Sequence, residues 1–246
     1  MNLRLMGLGT GAVLAASTLG ACGAVEQQDP QCVVAKGTFA TVYTLKPGQD
    51  ATTACAQLKP ERVGLEKYFS QDPNAPDSVA VRSRVVGDLL VNKSYQVDPD
   101  VPNQAVNSVG ALTTDAPLAD NFCEVPKLDA THVVLRSTTG GASKSLTYGW
   151  SNLRIYNTAE IPGTQFTADL SYTADGCTAQ YSVKGIWPVV SCATSGKPDD
   201  SKCDPYPDAS VGRYRGSGIN PIFPVKCDPV MLFCVLTGEV PSDQQP

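Results

Sequence analysis

Only one histidine, His132, occurs in the 246 residues, and charged side chains make up 17% of the chain. A single imidazole excludes the two-histidine His-Glu-x-x-His zinc motif, and no serine sits in a Gly-x-Ser-x-Gly nucleophile elbow. No Gly-x-x-x-x-Gly-Lys run is present to cradle phosphates, and the lone Gly-x-Gly-x-Gly, from Gly7 to Gly11, falls in the leader. Basic residues are outnumbered, 19 Lys and Arg against 24 Asp and Glu, with a pI of 4.9. The clustered positive charge that neutralises a phosphate backbone is missing, which excludes nucleic acid as a partner. Apolar runs are short as well. The stretch 5–19 is diluted by Gly7, Gly9, Gly11, Ser17 and Thr18 and falls short of the about 20 apolar residues that a membrane helix needs.

What the chain does have begins with an address. Arg4 precedes the uncharged stretch 5–19, the layout of a secretory signal. That stretch ends in Leu19-Gly20-Ala21-Cys22, which resembles the lipobox of bacterial lipoproteins. The resemblance implies a signal peptide over 1–21 and a diacylglycerol on Cys22, which becomes the first mature residue. Ordinary cleavage after Ala21 or Ala24 is the alternative. Residues 22–31 then read as a polar tether without periodic pattern. Gly23 stands where many inner-membrane lipoproteins carry Asp, so the resemblance implies lipid anchoring at the outer membrane, on either its periplasmic or its cell-surface face.

Nine cysteines are an odd number for an exported chain. Setting Cys22 aside leaves Cys32, Cys55, Cys123, Cys177, Cys192, Cys203, Cys227 and Cys234, enough for four disulfides in an oxidising compartment. Cleavage after Ala24 leaves the same eight, so parity argues for export more than for lipidation. Structural zinc wants cysteines two to four residues apart. The closest pair, Cys227 and Cys234, is wider than that, and neither a metal nor a cofactor is expected.

The clearest local pattern spans 165–187. Phe166, Ala168, Leu170 and Tyr172 alternate with Gln165, Thr167, Asp169, Ser171 and Thr173, the signature of a half-buried strand. After Ala174-Asp175-Gly176, alternation resumes with Ala179, Tyr181, Val183 and Trp187, predicting a hairpin with Cys177 in the apolar phase. Upstream, Tyr148 and Trp150 are out of phase with Leu153 and Ile155, and a bulge at Ser151-Asn152 would put all four on one face. Further strands are expected at 37–45, 62–69, 108–113 and 131–137, with a short one at 79–82. Residues 83–93, with Val86, Leu89 and Leu90 on one face, predict a short helix. The fold class that follows is mainly β, an antiparallel sandwich or open barrel, cross-linked by disulfides, with at most one short helix. It forms a single domain over 32–240, with irregular stretches at 98–107 and 196–220. The cysteine-rich segment 192–234 is expected to be stapled onto the sheet, and 241–246 to be a disordered tail.

Candidates for chemistry are few. His132 lies in the apolar run 131–135 and reads as a satisfied strand residue rather than a base. The cluster Asp199, Asp200, Asp204 and Asp208 offers oxygen ligands for calcium but reads better as a soluble acidic loop. Asp98, Asp100 and Asn103 suggest a calcium loop, yet lack the glycine at its sixth position, and Val109 replaces the bidentate acid. Tyr148, Trp150, Tyr156, Tyr172, Tyr181 and Trp187 could form an exposed row that stacks on sugars, or else pack a core. Their shared phase with apolar residues favours the core for Tyr172, Tyr181 and Trp187, whereas Tyr156 breaks phase with Ile155 and is expected to be exposed. The run from Gly163-Thr164-Gln165-Phe166 to Asp175-Gly176-Cys177 also resembles lipoproteins of myxobacteria, a resemblance that covers the hairpin and brings no activity with it. The resulting expectation is a lipid-anchored envelope protein that is a non-enzymatic structural or binding module, its partner a protein or a glycan. A hydrolase of envelope glycan is the alternative, and it requires two carboxyls about 5 to 10 Å apart in a cleft.

Overall fold

The computed structural model describes residues 30–242; the leader, Cys22 and most of the tether lie outside the described residues, as do 243–246. In chain order the elements are β1 (Gly37–Leu45), β2 (Glu61–Tyr68), β3 (Ser78–Ser83), α1 (Arg84–Val91), β4 (Tyr95–Val97), β5 (Ser108–Ala111), β6 (Phe122–Lys127), β7 (Thr131–Ser137), β8 (Lys144–Asn157), β9 (Pro162–Ala174) and β10 (Cys177–Ile186). A C-terminal segment follows with β11 (Ala193–Thr194), β12 (Lys197–Pro198), β13 (Val225–Cys227) and β14 (Cys234–Leu236).

The first ten strands make one antiparallel sheet in the order β4-β7-β8-β9-β10-β1-β2-β3-β5, with β6 pairing β8 beyond the end of β7. The expected hairpin is its spine. Asp175 and Gly176, both at positive φ (48° and 86°), form the two-residue turn that Asp-Gly favours, and ten residue pairs from Cys177 and Ala174 to Ile186 and Gln165 register the strands. The bulge falls where the phase change demands it. The β8–β9 register shifts between Ser151 and Arg154, Asn152 sits at φ 50°, and Tyr148, Trp150, Leu153 and Ile155 are all buried on one face.

The sheet curls into an open barrel, as expected from the sequence. Its β5 edge comes round to β6 and β7 without a ladder, through single bonds: Asp129 N to Val109 O at 2.8 Å, Thr113 N to Glu124 O at 2.9 Å, and the reciprocal Ala105–His132 bridge. Gly110 lies at this seam, where a Cβ would stand 2.4 Å from Lys127 O, so only glycine permits the approach. The inner face holds the main core, with Phe39, Tyr43, Val63, Leu65, Trp150, Phe166, Leu170 and Tyr181 among its members.

The helix prediction also holds. Ser83 ends β3 and caps α1, accepting from Val85 N, and Val86 is the helix's one fully buried residue. Two strands of the main sheet escaped the sequence reading, as did the four short strands of the C-terminal segment. β4 has three residues, and β6 carries Pro126 and pairs with β8 on one side only, so its sequence has no strand-length alternation to find.

The C-terminal segment covers part of the outer face and builds a second core. Ala40, Phe122, Tyr156 and Ile186 of the sheet and Ile161 of the β8–β9 connection pack against Ile219, Phe223, Phe233 and Leu236. This second layer overturns two expectations. Tyr156, expected to be exposed, is 3% exposed and meets Phe122 edge-on at 5.1 Å, and Gln165, on the expected polar face, is fully buried. Alternation correctly divided inward from outward positions, but it carries no signal that a later segment folds over the outside. Ser242, placed in a disordered tail by the sequence reading, is instead buried, and its amide and hydroxyl bond the Gln165 side chain at 3.0 and 2.8 Å.

The eight cysteines pair as Cys32–Cys123, Cys55–Cys177, Cys192–Cys227 and Cys203–Cys234. The first two tie distant parts of the barrel together. The other two lie wholly within the C-terminal segment, which corrects the expectation that it is stapled onto the sheet. The segment is stapled to itself and held to the barrel by packing and hydrogen bonds, among them Lys184 Nζ to Gly238 O at 2.7 Å and Asn220 Nδ2 to Glu160 O at 2.8 Å.

Candidate functional site

Outward-facing side chains of four neighbouring strands meet on the part of the outer face that the C-terminal segment leaves open. Thr44 of β1, Ser182 and Lys184 of β10, Thr167 and Asp169 of β9, and Asn152 and Arg154 of β8 line a groove of about 440 Å³, to which the C-terminal segment adds Glu239. The strand period of two puts hydroxyls and charges here, opposite the apolar core. Lys46 Nζ holds Asp169 at 2.6 Å while Asn152 Nδ2 donates to its other oxygen at 2.8 Å. Partial burial works against ionisation of Asp169, but the lysine and the amide outweigh it and hold the carboxyl below the ordinary value. Arg154 binds Glu124 at 2.8 Å, pairs with Asp120, and lies 4.0 Å from the centre of the Phe122 ring. Lys184 reaches Glu239 at 3.4 Å.

The carboxylate-pair test can be applied to this groove. Asp169 and Glu239 line the same cleft. A glycosidase needs one carboxyl protonated near neutrality, and Asp169 is shifted the other way while Glu239 is 91% exposed beside a lysine. The carboxyl with a raised pKa lies elsewhere. Glu61, 5% exposed at the start of β2, is pushed up by burial, although Ser83 and Tyr43 hydroxyls donate to it, both at 2.6 Å, and Val85 N adds a third bond at 3.2 Å. It lies on the inner side of the barrel, against the start of α1.

The remaining candidates resolve into local structure. His132 is half-buried, with Nδ1 2.9 Å from the Thr147 hydroxyl. Asp98 and Asp100 both pair with Arg136. Asp199 and Asp208 cap short 3-10 turns through Ser201 and Ser210, Asp204 pairs with Arg213 at 2.8 Å, and Asp200 accepts from Cys227 N at 2.6 Å. The sulfurs of Cys192, Cys203 and Cys234 lie within 4.8 Å of one another, but each is in a disulfide and offers no thiolate to a metal. Of the aromatic row, Tyr148, Trp150, Tyr156, Tyr172 and Tyr181 are buried, and Trp187 is half-buried with its indole N–H donating to Lys36 O at 3.2 Å, so the row forms core and not a sugar platform. Sequence reasoning missed Glu61 altogether. Its one signal was an acid placed two residues before the apolar Val63 and Leu65 in their own phase.

Comparison with known proteins places the sheet in a family. The family model described as MlpA matches residues 37–188, which runs from the start of β1 to just past β10. A Myxococcus xanthus protein named "Putative lipoprotein MlpA" is 27% identical over 258 aligned positions that take in 98% of this chain and 97% of that protein. No solved structure matches.

Proposed function

Since the chain belongs to the MlpA family, we propose that it is a lipid-anchored envelope protein whose barrel serves as a non-enzymatic binding module. One observation carries the anchor: the Leu19-Gly20-Ala21-Cys22 box stands at the head of a chain that aligns along 98% of its length with a relative named as a lipoprotein. The nine residues from Gly23 to Gln31 reach at most about 30 Å when extended, so the barrel would stay close to the bilayer. Two or three acyl chains, at about 0.8 kcal/mol per buried CH₂, hold such a protein permanently, where one myristoyl chain is marginal. Gly23 directs the reading to the outer membrane. The test is incorporation of labelled palmitate. The wild-type protein is expected to take up label and pellet with membranes after a carbonate wash, and Cys22→Ser to do neither; a Cys22→Ser protein that still pellets sinks the anchor.

The outer groove is the surface proposed for the partner. Its hydroxyls, Arg154, Lys184 and the Lys46–Asp169 pair suit a polar protein surface or glycan, and the absence of an aromatic from its lining argues against ring stacking as the mode. Cosedimentation with purified cell-wall glycan, compared with crosslinking to envelope proteins, separates the two. Lys184→Glu is expected to weaken whichever contact is real. Retention unchanged in that variant would move the site off this groove.

A further inference from the structure

On the inner side of the barrel, α1 and the rim of the sheet leave a second cleft, of about 430 Å³, within the range of small-molecule sites. Val85 and Leu89 of α1 face Leu146 of β8 and Tyr172 and Ala174 of β9 across it. Its charged groups have partners, Asp88 with Arg84 at 2.6 Å, Asp175 with Ser145 N at 2.8 Å and Lys144 5.6 Å from the centre of the Tyr95 ring, and with Asn92 they leave Val85, Leu89, Leu146, Tyr172 and Ala174 as its apolar wall. Tyr172 is the inner partition, with its ring 5.0 Å from that of Tyr148, which stacks in turn on Trp150 at 6.5 Å.

Behind that partition lie two polar groups without partners. The Tyr148 hydroxyl and the Trp150 indole N–H are buried and make no hydrogen bond, on residues only 1% and 2% exposed. Tyr148 Oη is close enough to Ser83 and Tyr172 for each to bear on its ionisation, yet it bonds neither. Nearby Glu61 has its oxygens filled by Tyr43, Ser83 and Val85 N. Buried donors are almost always satisfied, and two side by side, one tyrosine away from a cleft, call for an acceptor. α1 makes a yielding wall: it is eight residues long, with Gly87 at its middle, Val86 alone fully buried, and Glu61 latching its first turn.

From this juxtaposition we infer that the cleft between α1 and the β8–β9 rim binds a small, neutral, apolar molecule bearing a hydrogen-bond acceptor such as a carbonyl oxygen. The apolar body lies against Val85, Leu89, Leu146 and Ala174, and the oxygen reaches Tyr148 Oη past Tyr172. An acceptor group carrying negative charge is disfavoured there by buried Glu61. This site is independent of the outer groove and of the anchor, and stands or falls separately.

Acetophenone and ethylbenzene, alike in shape and differing in the carbonyl oxygen, are the probes. They are titrated into the full-length protein carrying Cys22→Ser, with methyl NMR shifts of Val85, Leu89 and Leu146 and the fluorescence of Trp150 as readouts. Acetophenone is expected to bind saturably and about ten-fold more tightly than ethylbenzene, the effect of one buried hydrogen bond. Tyr148→Phe should erase that difference while leaving thermal stability equal or higher, because it removes a donor that has no partner in the fold. Leu89→Trp, which fills the cleft from the half-buried side of α1, should block both probes, and it keeps the test alive should Tyr148→Phe misfold. No saturable shift at these methyls, equal affinity for the two probes, or a preference for acetophenone that survives Tyr148→Phe would each overturn the assignment.

Discussion

In the barrel the two disulfides span 91 and 122 residues and tie the entry to β1 and the loop after it to β6 and β10; in the C-terminal segment they span 35 and 31 and tie the segment to itself. The barrel has a ten-stranded ladder and an aromatic core beneath its bridges. The segment has two two-stranded ladders, short 3-10 turns and carboxylate caps. Its folded shape therefore depends on local devices, and its position depends on apolar contact with the barrel's outer face. The family model ends at residue 188, before this segment, whereas the alignment with the Myxococcus xanthus relative takes in 98% of the chain and so runs on into it.

The largest expected effect probes the barrel alone. Leu170 is fully buried and its neighbour Asp169 faces the groove, so Leu170→Asp buries an unpaired charge and loses a core side chain. Truncation alone would cost about 3 to 5 kcal/mol, and with the charge the variant should not fold. Asp169→Leu gives up the half-buried, solvent-screened Lys46 pair and should cost about 1 kcal/mol. Chemical denaturation of both checks this, and comparable losses would overturn the register that turns Leu170 inward and Asp169 outward.

Next come the bridges. In the chain-entropy picture, the barrel loops are worth about 4.7 kcal/mol each and the segment loops about 3.8. Replacing Cys55 and Cys177 by alanine should lower the midpoint of the main unfolding transition. Replacing Cys192 and Cys227 should leave that midpoint nearly unchanged while opening 196–220 to protease. A shared drop of the main midpoint in both would show that barrel and segment unfold as one unit. The seam offers a sharper cut. Tyr156→Ala removes a buried ring that meets Phe122 and supports the segment, and should cost about 3 to 5 kcal/mol with the segment released first, as read by amide exchange at 219–236.

The barrel was largely legible from the sequence because alternation, an Asp-Gly turn and one phase slip at Ser151-Asn152 leave local marks. The limits of β1 and β7 could be read directly, and those of β2 and α1 to within a residue or two. The segment was legible only as a density of cysteine and proline. Its pairings join residues through space with no periodic signal, and so its self-stapling and the burial of Tyr156 and Gln165 could not be read. The outer groove follows from the polar phase of the strands once their order is known. Glu61 and the two unpartnered donors required the curl of the sheet to bring β1, β2, β8 and α1 together.

The smallest effect is a difference in sign between the two regions as pH falls. Glu61 is buried against β1, β8, β9 and α1, facing Tyr43, Tyr148, Tyr172 and Ser83, and burial raises its pKa above the ordinary 4.5. A carboxyl whose folded pKa is raised favours the fold most when protonated: its contribution is complete below 4.5 and is lost as pH rises through the folded value. Asp199, Asp204 and Asp208 of the segment behave oppositely. Hydrogen bonds from Thr194 and Ser201, from Arg213, and from Ser210 hold them below 3.8, so their contribution is complete above 3.8 and is lost as pH falls through their folded values. Asp77, held down by Lys67, and Asp169 add a loss of the same sign to the barrel, confined to the same acidic range. Between neutrality and 4.5 the barrel is therefore expected to gain stability while the segment holds level, and below 3.8 the segment should loosen first. Amide exchange resolved by region checks both, and Glu61→Gln should flatten the barrel's slope above 4.5 without touching the segment's acid loosening. A wild-type barrel with no slope in that window would show that the hydroxyl and amide bonds to Glu61 offset its burial in full.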